Sequence, residues 1–144
     1  MLKNNSGGYT LTEILMVLSI FLLIVSLSIN LYPPYIERME IKQFVKQFGD
    51  DLFYAQQYAI SHEQQTTVYM YSDNYKVSSS SGDYTLQRTL PAHVTFKNRT
   101  LGERIAFNSV GTAITSGIMH VQSKHETYKL TVYIGKGRFK FEKV

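Results

Sequence analysis

The stretch SGGYTLTEILMVLSIFLLIVSLSIN, residues 6–30, decides how the rest of the chain is read. From Ile14 to Ile29 it is hydrocarbon, broken only by Ser19, Ser26 and Ser28, with one acid, Glu13, at its start. As a helix, residues 9–32 would run on the order of 36 Å, enough to cross a bilayer. An apolar run this long argues against a helix buried in a soluble core. A cleaved secretory signal would need a small-x-small site after the run, and Ser26-x-Ser28 before bulky residues is a poor one. A helix that stays attached is therefore expected. Charge counting alone places its carboxyl side in the cytoplasm, since Lys3 precedes it and Arg38, Lys42 and Lys46 follow.

Glu13 has two readings. A carboxylate at head-group depth stabilises a helix amino end, and Thr10 with Glu13 spells a capping box. Alternatively, an acid inside an apolar membrane helix costs enough that it marks a function, with a partner to be found.

The junction Gly8-Tyr9-Thr10-Leu11-Thr12-Glu13 resembles the leader junction of type IV pilins and type II secretion pseudopilins. Tyr9 stands where that family usually has phenylalanine, and Thr12 where it has an apolar residue. The resemblance implies a leader at 1–8, cut between Gly8 and Tyr9 by a membrane-embedded prepilin peptidase that then methylates the amine of Tyr9. It implies a single-pass helix at 9–32 with the head outside the cytoplasm, opposite to the charge count, and at the cell surface once assembled. It also gives Glu13 a role in assembly, as counter-ion to the Tyr9 amine of a neighbouring subunit. A buried ion pair gives register more reliably than stability.

Beyond the span, Pro33-Pro34 should interrupt the helix. Ile41, Phe44, Val45, Phe48, Leu52, Ala55 and Ala59 then recur at helical spacing, one face of an amphipathic helix over about 35–61 that covers a sheet. From Thr66 the period turns to two. TTVYMYS and YKVSSS flank a turn at Asp73-Asn74, and YTLQRTL, HVTFK, RIAFN, GIMHVQS, TYKLTVYIG and RFKFEKV continue an antiparallel sheet over about 66–143. GKG at 135–137 reads as a tight hairpin. The expected fold is α+β and pilin-like: a long amino-terminal helix, membrane-spanning first and amphipathic second, packed on an antiparallel sheet in a head at 33–144. PP at 33–34, AQQYAIS at 55–61, RIAFN at 104–108 and LTVYIGKGR at 130–138 most resemble the D-type minor competence pseudopilins of Gram-positive transformation systems. That implies a structural subunit of a competence pseudopilus serving DNA uptake, with other major and minor pseudopilins as partners. A type II secretion pseudopilin and a plain single-pass anchored domain are the alternatives.

Catalytic chemistry is missing from the pattern. With no cysteine among 144 residues, thiol catalysis, disulfides and thiolate metal sites are excluded. His62, His93, His120 and His125 are scattered, Ser78–Ser81 lack a nucleophile setting, and GKGR at 135–138 is too short to cradle phosphates. No enzyme, metal or cofactor is expected. The net charge of +4 is uneven, with Lys129, Lys136, Arg138, Lys140 and Lys143 near the end against Glu142. Lys136, Arg138 and Lys140 are the candidate DNA contacts. Base stacking wants aromatics beside the cations, but alternation puts Phe139 and Phe141 on the opposite face from Arg138 and Lys140.

Overall fold

Among the described residues, two helices precede eight strands. The computed structural model describes residues 10–31, 33–135 and 137–144. The leader expected at 1–8, its expected junction at Gly8 and Tyr9, and Lys136 therefore lie outside the described residues. Helix α1 runs Leu11–Leu31 and α2 runs Pro33–Ser61. Pro33 opens α2, where a residue without an N–H removes no intrahelical bond. The chain divides into a unit ending at Tyr35 and a second, the head, from Ile36 to Val144.

In the head, all seven stripe residues of α2, Ile41 to Ala59, are buried. Helix α2 stops where Glu63 takes a left-handed φ of 51° and the Gln64 N–H donates back to the Ala59 carbonyl at 3.1 Å. The expected antiparallel strands are present, but they form two four-stranded sheets. β1 (Thr66–Met70), β2 (Asn74–Ser79), β3 (Thr85–Thr89) and β5 (Arg104–Phe107) make the first, in the order β3-β2-β1-β5. β4 (Thr95–Asn98), β6 (Gly117–Gln122), β7 (Thr127–Val132) and β8 (Phe139–Lys143) make the second, in the order β4-β6-β7-β8. Alternation tells which side chains point inward, not which strand pairs with which, so the split was not readable from the pattern.

Phe48 of α2 joins the two sheets. Its ring lies 4.8 Å from Tyr75 of β2, 5.3 Å from Phe96 of β4 and 6.1 Å from Phe141 of β8, centroid to centroid. At the next residue, a Cβ on Gly49 would sit 3.3 Å from the Phe141 ring, so a side chain there would crowd α2 against β8.

The closing connection is not the tight hairpin that GKG suggested. β7 ends at Val132 and β8 begins at Phe139, with the Tyr133 N–H donating to the Arg138 carbonyl at 2.9 Å. Gly135 forms a bridge with Ala113, which also bridges Phe107 of the first sheet. Gly137 has a left-handed φ of 61°, and a Cβ there would overlap the Gln56 amide and the Gly111 carbonyl. Gln56 Nε2 donates to that same carbonyl at 2.7 Å. Gly137→Ala should therefore cost at least about 2 kcal/mol, adding backbone strain to loss of this contact. Thermal unfolding of the full chain in detergent measures it, and an unchanged midpoint would mean that the loop does not tie the sheets.

Candidate functional site

Two regions bear on function: the α1 surface and the cations of the head. Over Leu11–Ser28 the mean hydropathy is 2.4 and no residue is buried within the chain, so α1 offers an apolar surface on every side. Its hydroxyls are satisfied internally, as a bilayer demands. Ser19 Oγ donates to the Leu15 carbonyl at 2.8 Å and Ser28 Oγ to the Ile24 carbonyl at 2.9 Å. Thr10 caps the helix: its Oγ1 accepts the Glu13 N–H at 3.3 Å and its carbonyl accepts the same N–H at 3.1 Å. The return half of the capping box, carboxylate to Thr10 N–H, does not occur among the described residues. The Glu13 side chain instead shares a stripe with Ile14, Val17, Leu18 and Phe21.

The basic carboxyl end behaves differently from its charge count. Lys129 and Lys140 both bond Glu142, at 2.6 and 2.8 Å. Those two ammonium groups hold the Glu142 carboxyl down to about 2. Lys143 reaches Glu126 at 2.6 Å and, with the Tyr128 hydroxyl, lowers that carboxyl too. Of the three candidate DNA contacts, Lys140 shares the Glu142 carboxylate with Lys129, Lys136 lies outside the described residues, and Arg138 is exposed. Phe139 and Phe141 pack toward the core.

The histidines are equally dispersed. His62 stacks on Tyr58 at 3.9 Å and His125 Nε2 lies 3.2 Å from Glu37 Oε2. No group of metal-ligating side chains occurs among the described residues.

One polar cluster escaped the sequence pattern. Buried Asp51 on α2 accepts from the Tyr75 hydroxyl and from Arg88 of β3, Nε at 2.7 Å and Nη2 at 3.3 Å. The signal was available: Asp51 falls inside the apolar stripe, between Phe48 and Leu52.

No family model matches the chain. It is 30% identical over 140 residues to competence protein ComGD of Bacillus subtilis (strain 168), across 97% of this chain and 96% of that protein. The chain belongs to the ComGD family of competence proteins. Two solved structures share the fold at lower identity. The type IV minor pilin FimU of Pseudomonas aeruginosa (PAO1) superposes with a TM-score of 0.60 at 17% identity, over 76% of this chain and 92% of that one. The minor pseudopilin EpsH of the type 2 secretion system of Vibrio cholerae gives 0.58 at 16%, over 72% and 97%. The pilin fold expected from the sequence is the observed one.

Proposed function

We propose that this protein is a non-catalytic minor pseudopilin that helps build the competence pilus through which DNA is taken up. The observation that carries the reading is the ComGD match, which covers 97% of this chain and 96% of that protein. The likeness to the secretion pseudopilin is one of fold, at 16% identity. In this reading α1 holds the protein in the cell membrane with the head outside. The prepilin peptidase cuts between Gly8 and Tyr9, Tyr9 is methylated, and the mature helix packs among other major and minor pseudopilins.

Glu13 then has a physical task. Its carboxylate lies in the first turn of a helix that has no buried residue over Leu11–Ser28, where only another molecule can cover it. The neighbour's Tyr9 amine, freed by cleavage, supplies the charge that a carboxylate in oil requires. Removing one partner of a buried pair costs about 3–5 kcal/mol. Glu13→Ala is therefore expected to insert and be processed normally, yet be lost from the sheared filament fraction by roughly a hundredfold or more. The amino-terminal residue of the membrane-extracted protein, read by mass spectrometry, tests the scheme. Methylated Tyr9 is expected, and functional material beginning at Met1 would overturn it.

A further inference from the structure

The outward face of the first sheet carries a row of side chains that linear alternation cannot show. In the central strand β1, Tyr69 stands directly opposite Lys76 of β2 on one side and Arg104 of β5 on the other. Lys76 in turn faces Gln87 of β3. The intervening residues Val68, Met70, Tyr75, Val77 and Ile105 are buried toward α2, so the row points away from the core. Tyr69 is 37% exposed, and Tyr71, two residues on, is 50% exposed. Unlike Arg88, Lys129, Lys140 and Lys143, neither Lys76 nor Arg104 enters an ion pair among the described residues. The nearest acids in sequence are Glu103, beside Arg104, and Asp73, which accepts from the Asn74 side-chain amide at 2.7 Å.

Tyr69 is thus an exposed ring with an unpaired cation on either side. Neighbouring strands are about 4.8 Å apart, so the two cations are rooted roughly 10 Å apart with the ring between them. Aromatics on the open face of a four-stranded sheet take unstacked bases, while flanking Lys and Arg take the phosphates. We propose that Tyr69, Lys76 and Arg104 form a binding face for single-stranded nucleic acid. A base lies on the Tyr69 ring, and its flanking phosphates meet Lys76 and Arg104. Gln87 at the end of the row can read a base edge, having both a donor and an acceptor. A duplex fits less well, because its bases are already stacked and offer the ring no face. An acidic protein partner would use the cations but not the ring.

The inference deepens the DNA-uptake reading and rests on it for the strand being DNA. It is tested without assembly or processing, so its failure would leave that reading standing. The full chain in detergent is titrated with a fluorescent oligothymidylate, followed by anisotropy at rising salt. Binding that steepens as salt falls is expected, with Lys76→Gln and Arg104→Gln each making the log–log salt slope shallower by about 0.7. Tyr69→Ala should weaken binding about tenfold and Tyr69→Phe should retain it. Lys140→Gln, which removes an already paired cation, should bind as wild type. All these positions face outward, so thermal midpoints should stay in place and a folding defect is separable. No binding at low salt, equal binding by Tyr69→Ala, or a tighter hold on duplex than on the single strand would overturn the proposal.

Discussion

Phe48→Ala is expected to lower the stability of the head by about 3–5 kcal/mol, the range for deleting a fully buried aromatic side chain. For a unit of this size each kcal/mol moves the midpoint by roughly 4 °C, so the transition should fall by on the order of 10–20 °C. The effect is large because the ring is fully buried and touches both sheets. Its neighbours Tyr75, Phe96 and Phe141 come from β2, β4 and β8, and Phe44 stacks on it at 6.0 Å. A void here undoes the contact that makes one head of two sheets. Phe48→Leu, which fills most of the volume, should cost under about 1.5 kcal/mol. Phe53→Ala is the control, since Phe53 lies five residues on and is 57% exposed. Near-UV dichroism of the tyrosines reports the transition. A Phe48→Ala midpoint within a few degrees of wild type would show that the sheets are joined elsewhere.

What could be read beforehand follows from which periodicities are local. The α2 stripe was legible to the residue because a 3.6-residue period depends only on the helix itself. The strands were legible for the same reason, by their alternation. Pairing is not local: β1 lies beside β5, some way along the chain, and β4 joins the other sheet. The basic end was misleading for this reason. Lys129 and Glu142 stand directly opposite each other only in the β7–β8 register. The same non-locality hid the row at Tyr69, whose two cations come from two other strands. Asp51 was overlooked on different grounds: a carboxylate in a helix defaults to solvent, and the partners that allow it inside are Tyr75 and Arg88, distant in sequence.

Asp51→Ala should destabilise the head by an amount near the lower end of about 3–5 kcal/mol, the cost of breaking a buried pair from one side. The lower end applies because the Arg88 side chain is 39% exposed and water takes over part of its charge. The Tyr75 hydroxyl has no such relief, since Tyr75 is fully buried. Tyr75→Phe, which removes the donor and leaves the Asp51–Arg88 pair, should cost only about 0.5–1.5 kcal/mol. A double-mutant cycle with Arg88→Met would separate the pair energy from the loss of the tyrosine bond, and additive losses would mean that Asp51 and Arg88 do not couple. The cluster also predicts an alkaline limit. Burial first, and the Asp51 carboxylate second, push the Tyr75 phenol well above its ordinary value of 10.0. A group whose folded pKa is raised lends stability that is complete below its unfolded value and is lost as pH climbs past it. Unfolding midpoints should therefore hold steady up to about pH 10 and decline beyond it. The decline should be shallower in Tyr75→Phe, where the buried phenol no longer exists. Parallel alkaline profiles for the two proteins would place the loss at other tyrosines, such as Tyr84 and Tyr128, whose phenols are also raised by burial.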